Sequence, residues 1–227
     1  MKILGIESSC ERVSVAACDG DRIEQRIVAG GKTPSETLIP DTLALLAGMG
    51  LTLRGLDAIV LGVGPGAFTG LRLGCSVAQG FALAARRPVL PICSLEAIAA
   101  AQDHPQVLVA TDARMGETYH AAYRREGDSL QVVRPPACDP PEQVVAPEGA
   151  WWGVGSAFSA YGERLLAGVD AVSGRVGEAW PEAAALLRLA RQRGLGAAVD
   201  AARVAPLYVR DKVALTTAER LARGGKA

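Results

Sequence analysis

Side chains able to do chemistry are few and scattered along this chain. There are two histidines, His104 and His120, and five cysteines, Cys10, Cys18, Cys75, Cys93 and Cys138. His104 precedes Pro105 in a linker-like stretch, and His120 lies in a strand-like run. Neither has a carboxylate at ligand spacing, so the pair does not read as a catalytic metal site, which needs three protein ligands. The cysteines are odd in number and form no C-x-x-C pair. That excludes a disulfide framework and a zinc site of the usual spacing, and leaves small buried apolar residues. Two acids at strand ends, Glu7 and Asp112, have the right type to hold magnesium, or simply to accept local hydrogen bonds. The densest motif is GPGAFTGLRLG, residues 64–74, with four glycines and one proline. Glycine-rich turns between a strand and a helix often cradle phosphate. This one lacks the Lys-Ser/Thr ending of a P-loop, so triphosphate binding is not implied.

Spacing gives those glycines another use. Gly70, Gly74, Ala78 and Ala82 recur every four residues and form one smooth stripe on a helix. Leu73, Val77 and Phe81 form a second, apolar stripe. A helix this apolar is covered on more than one face. The sequence therefore predicts a protein interface built from the small stripe together with the preceding helix, with Leu38, Thr42, Leu45, Gly70, Arg72, Gly74, Ala78 and Ala82 as its residues; the alternative is an internal helix contact only. Arg72 falls in the first helical turn, where the dipole disfavours a cation. It can reach a carboxylate or phosphate of a partner, or run out to water.

The elements that must position these residues follow from pattern. KILGIES, RVSVAAC and DRIEQRIVA read as three strands, the last two joined by an Asp19-Gly20 turn. Thr33-Pro34-Ser35-Glu36 is a helix start, with a cap, a proline for the first position and an acid to close a capping box. That helix runs to about Gly48, with a bend expected at Pro40. LDAIVLGV is a buried strand, followed by the glycine turn, a long helix to about Arg87, the short strand VLPI and a helix from Ser94. The order then restarts. QVLVATDA, ETYHAAYRR and SLQVVRPP are strands, Asp139-Pro140-Pro141-Glu142 opens a short helix, WWGVGS is a strand and SAYGERLLA a helix. GIESSCERVSVAA and ATDARMGETYHAA align without gaps, pairing Glu7 with Asp112 and Ala16-Ala17 with Ala121-Ala122. LGVGPGAF resembles WGVGSAF.

A repeated βββαβα unit is the architecture of the actin-like ATPase superfamily, the ASKHA or RNase H-like fold. The expectation is an α/β chain with a first domain at 1–104 and a reduced second domain at 105–227, its last helix free to return to the first. Length and composition agree: 227 residues, nearly half apolar, suit one large domain or two small ones. With 24 basic and 24 acidic residues there is no excess for gripping RNA alone. The mild basic bias of Arg203, Arg210, Lys212, Arg220, Arg223 and Lys226 reads as a solvated helical tail. No signal peptide or membrane-spanning run is visible, which points to a soluble cytoplasmic protein.

ILGIESSCERVSVAA, GPGAFTGLRLG, DARMGETYHAAY and PLYVRDKVA together resemble the bacterial TsaB (YeaZ) family, over Met1 to about Ala214. That resemblance implies a part in making N6-threonylcarbamoyladenosine in tRNA, at the adenosine next to the anticodon. It implies a non-catalytic subunit paired with a catalytic TsaD-type relative and a small TsaE-type ATPase, a homodimer when alone, and tRNA met only through the complex. TsaD-type proteins carry an N-H-x-x-x-H-type metal pair; the corresponding VLPICSLEAIAAA, 89–101, holds no histidine. The phosphate hairpins of the superfamily are also eroded. One bend reads Glu7-Ser8-Ser9-Cys10, and the other Asp112-Ala113-Arg114-Met115-Gly116 carries two long side chains where close phosphate approach needs small ones. No cofactor is expected on the isolated chain, with ATP or ADP only at a site shared with the partner. The competing readings are a glycoprotease-like metallopeptidase, against which the missing histidine pair argues, and a small-molecule kinase, against which size and hairpins argue.

Overall fold

A computed structural model describes residues 1–28, 33–166, 172–176 and 178–210. Alternating apolar residues make β1 (Lys2–Glu7), whose Ile3 joins one core while Leu4 and Ile6 join the other. β2 (Ser14–Asp19) and β3 (Arg22–Ile27) complete an antiparallel meander, turning at Gly20 with φ 60°. β4 (Ala58–Gly62) and β5 (Val89–Ile92) add in parallel, giving the order β3-β2-β1-β4-β5. The second sheet is built from β6 (Gln106–Arg114), β7 (Glu117–Glu126), β8 (Ser129–Asp139), β9 (Trp151–Val154) and β10 (Val172–Val176). Its order, β10-β9-β6-β7-β8, is the first order met from the opposite edge. Each strand of one half thus has a counterpart in the other, and the fold is a duplicated actin-like one. β10 completes the match.

The gapless alignment of the two hairpins is off by one residue in its second strand. Glu7 pairs with Ser14, whereas Asp112 pairs with Thr118, one residue sooner. Ala16 therefore corresponds to His120 rather than to Ala121.

The second half is reduced in its helices. The first half has α1 (Pro34–Gly48) and α2 (Phe68–Ala85), of 15 and 18 residues. In the second, α1 is replaced by a single 3₁₀ turn, Pro141–Gln143. α2 is replaced by α4 (Ala157–Tyr161) and α5 (Glu163–Leu166), broken at Gly162 with φ 49° where one continuous helix was expected. The capping box of α1 forms as its sequence predicts, with the Thr33 N–H donating to the Glu36 carboxylate at 3.1 Å.

Five layers result: α1 and α2, the first sheet, a middle layer of α3 (Ser94–Ala100) and α6 (Ala183–Arg193), the second sheet, then α4 and α5. The middle layer shares one apolar core with the inner faces of both sheets. α6 comes late in the chain yet lies on β1, β2 and β4, and Gly5 lets its backbone in: a Cβ there would lie 3.0 Å from the Ala183 carbonyl. Arg193 at its end forms a two-point pair with Glu96 of α3. Beyond it, residues 199–210 run as a strap over the first sheet. Val199 exchanges backbone hydrogen bonds with Val89, and the Leu207 N–H reaches the Val63 carbonyl at 2.7 Å.

Candidate functional site

The glycine turn is built around this chain's own first hairpin. Ser8, at the bend after β1, donates its hydroxyl to the Gly70 carbonyl at 2.9 Å. A Cβ at Gly70 would overlap the Ser8 carbonyl oxygen, and one at Gly74 would overlap the Ser8 hydroxyl and press on Leu61 at 3.4 Å. The small stripe is therefore small so that α2 can sit against the end of β1. This corrects the expected outward stripe. Gly74, Ala78 and Ala82 are buried within the chain, as are Leu38, Thr42 and Leu45 of α1, where the Thr42 hydroxyl donates to the Leu38 carbonyl at 2.7 Å. Gly70 is half-buried, and Arg72 alone of the expected interface residues is exposed.

The outward face of the same two helices carries other residues. Ile39 and Leu43 of α1 are each 44% exposed, Phe68 of α2 is 44% exposed and Leu83 is 68% exposed. The sequence did hold a signal for this face: Ile39 and Leu43, four apart, lie off the stripe of Leu38, Thr42 and Leu45. Arg72 stacks on the outward Phe68, its guanidinium carbon 3.9 Å from the ring centroid, and its Nε donates to the Tyr208 hydroxyl at 3.3 Å. Tyr208, from the strap, was missed as a site residue because only the fold brings it to α2.

A cleft of about 810 Å³ opens between the two halves, lined by both hairpin bends, by Phe68 at the start of α2 and by the strap. Each bend closes on its own acid. The Ser9 N–H donates to Glu7 Oε1 at 2.7 Å, and the Arg114 N–H donates to Asp112 Oδ1 at 2.8 Å. Glu7 is fully buried and also accepts from the Ser94 hydroxyl at 2.8 Å. Burial holds its carboxyl above the usual range, against the opposing hydrogen bonds from Ser9 and Ser94. Asp112 accepts in addition from the Tyr161 hydroxyl at 2.6 Å and from Arg114 Nη1 at 3.1 Å. Both acids thus serve local hydrogen bonding.

Two arginines tie the halves together across this cleft. Arg114, in the left-handed region at φ 61°, reaches from Asp112 to Glu11 of the first hairpin at 3.2 Å. Arg210, at the end of the strap, donates to the Ala113 and Arg114 carbonyls at 2.9 and 3.2 Å and pairs with Glu117 at 2.6 Å. Its side chain is only 13% exposed, so it belongs to the second half's hairpin and not to a solvated tail. Arg203 is exposed, while Lys212, Arg220, Arg223 and Lys226 lie outside the described residues.

Neither histidine faces the cleft. His120 Nε2 meets Asp139 at 2.8 Å from within the second sheet, and His104 stacks on Trp152 with centroids 3.9 Å apart. Among the described residues no group of three His, Cys, Asp or Glu could hold a metal ion. Cys10 lines the cleft, but burial pushes its thiol up to about 12, so it is no ready nucleophile.

Comparison with known proteins places this architecture. The family model described as TsaD: tRNA N6-adenosine threonylcarbamoyltransferase matches residues 31–217. The tRNA threonylcarbamoyladenosine biosynthesis protein TsaB of Haemophilus influenzae is 31% identical over 235 residues, covering 94% of this chain and 95% of its own. TsaB of Escherichia coli is 30% identical over 226 residues, covering 94% and 96%. The solved structure of YeaZ from Pseudomonas aeruginosa superposes with a TM-score of 0.83 at 32% identity, over 91% of this chain and 99% of that one. With sequence likeness along nearly its whole length and the same fold, this chain belongs to the TsaB (YeaZ) family of tRNA threonylcarbamoyladenosine biosynthesis proteins.

Proposed function

We propose that this chain is the non-catalytic subunit of a threonylcarbamoyl-transferring assembly. It pairs with a catalytic TsaD-type relative and a TsaE-type ATPase, and the assembly moves threonylcarbamoyl from its adenylate to the tRNA adenosine beside the anticodon. The observation that carries this reading is the outward α1–α2 face, where Ile39, Leu43, Phe68 and Leu83 hold large apolar side chains in water. Several large apolar side chains left exposed on one pair of helices mark a contact site. The partner supplies the metal and the reacting nucleotide; ATP or ADP binds only at a site shared with that partner. In the partner's absence the same face closes on a second copy. tRNA is met through the complex, since the chain has no basic excess of its own.

Support for a supporting rather than a catalytic role is the use already made of the reactive side chains. His104 is stacked, His120 is held by Asp139, and Glu7 and Asp112 are held by their own bends. All five cysteines are free, as suits a reducing cytoplasm. No helix among the described residues is long and apolar enough to cross a membrane. The test is co-expression with the TsaD-type relative from the same source, followed by size-exclusion chromatography. Co-elution as one complex is expected; two separate peaks at micromolar concentration would overturn the reading.

A further inference from the structure

We infer that the docking surface does not end at the helix pair but continues over the strap onto the tip of the second half's hairpin, so that a protein seated on it grips both halves. This rests on the proposed pairing with a TsaD-type relative. Tyr208 of the strap is 51% exposed, and its ring lies 5.8 Å from that of Phe68. Two residues on, Arg210 touches the thioether of Met115 at 3.8 Å. Met115 is 78% exposed at the hairpin tip and stands in the left-handed region at φ 58°. From Phe68 through Tyr208 and Arg210 to Met115, contacts therefore run from the first half to the second along the cleft that Phe68, Tyr208 and Arg210 line. A bulky apolar residue held out on a strained turn is costly unless something covers it.

The occupant is a protein surface with apolar residues and at least one carboxylate. Arg72 sits in the middle of the patch, held by the Phe68 ring and the Tyr208 hydroxyl, and has no acidic partner among the described residues. Its charge is left for a partner to meet. The strap makes the surface more than a sum of patches. Its Leu207 is fixed to Val63 of the first half, and its Arg210 to Ala113, Arg114 and Glu117 of the second. A partner that covers Tyr208 and Met115 together fixes the span between those anchors, and with it the width of the cleft.

Hydrogen exchange on the unaltered chain, free and with the TsaD-type partner, tests this directly. Slowed exchange is expected both in the first turns of α2 and in the hairpin amides of 113–117. Protection confined to α1 and α2 would overturn the extended surface while leaving the pairing intact. No protection anywhere and no complex would overturn both. As a second measure, Tyr208→Ala combined with Met115→Ala should weaken partner binding about tenfold, the usual effect of truncating well-packed contact residues, with the melting temperature unchanged. Arg72→Glu should weaken it further. Binding unchanged in both variants would refute the inference.

Discussion

Gly74 shows how one position can be read two ways until its neighbours are known. On a bare helix, leucine there would be an improvement of roughly 0.8 kcal/mol over glycine. In the fold its Cβ collides with the Ser8 hydroxyl, which is tied to the Gly70 carbonyl. Gly74→Leu should therefore overpack the joint between α2 and β1 and cost about 1 to 3 kcal/mol, seen as a lower melting temperature of the isolated chain. An unchanged melting temperature would mean that α2 can move off the hairpin. Glu7 makes a second residue-scale prediction. Because burial raises its pKa, the folded chain keeps a proton that the unfolded chain has already released. The stability this contributes is full below the ordinary carboxylate value and falls as pH rises through the raised one. Glu7→Gln is neutral throughout. The difference in melting temperature, variant minus parent, should thus grow more positive as pH rises above about 4.5. A difference that is flat or shrinks over that rise would show that Glu7 ionises as easily inside as in water.

Among the elements, α1 and α2 carry the functional proposal, and their outward side chains can be changed without touching the core. Leu43→Asp replaces a side chain 44% exposed, so stability should change by no more than about 0.5 kcal/mol, while co-elution with the TsaD-type partner is lost. A variant that melts early and still binds would place the contact elsewhere. The elements themselves were largely legible. The strands of both hairpins, the Thr33 cap and the C-terminal end of α2 follow from alternation, capping chemistry and the polar break at 86–87, because those signals are local; α2 begins at Phe68, so Arg72 stands past the first turn in which it was expected. α6 is legible as a helix, with Gly194 after a last turn bearing Arg191 and Arg193. Its place against β1, roughly the whole chain away, was not written locally at all. The same limit explains the stripe: four-residue spacing says that something approaches Gly70 to Ala82 closely, but not whether it is a partner or the bend at Ser8. The residues at the mouth of the cleft, Tyr208 and Arg210, are site residues only because the strap returns.

Across the whole molecule the duplication sets two like hairpins on one cleft and fills both from within. In a phosphate-binding bend the backbone amides point at the ligand. Here the amides of Ser9 and Arg114 are taken by Glu7 and Asp112, the same i to i+2 closure in both halves. Between the bends stands the Arg114 guanidinium, engaged by Asp112 and Glu11, and Glu178 adds a further acid to the lining. A triphosphate entering this cleft meets carboxylates and occupied amides. The exposed Arg114–Glu11 pair is itself worth no more than about 1 kcal/mol, so the obstacle is the two closed bends rather than the latch across them. The isolated chain should then bind ATP weakly and not hydrolyse it. A single site filled at a hundredfold excess over its Kd would add about 2.7 kcal/mol, and for a chain of this size each kcal/mol moves the melting temperature by roughly 2 to 4 °C. Millimolar ATP with magnesium should move it by less than about 1 °C. A rise of several degrees in the isolated chain would show that a bend opens to receive phosphate. The same rise seen only after the TsaD-type partner is added is the outcome expected of a nucleotide site completed between two proteins.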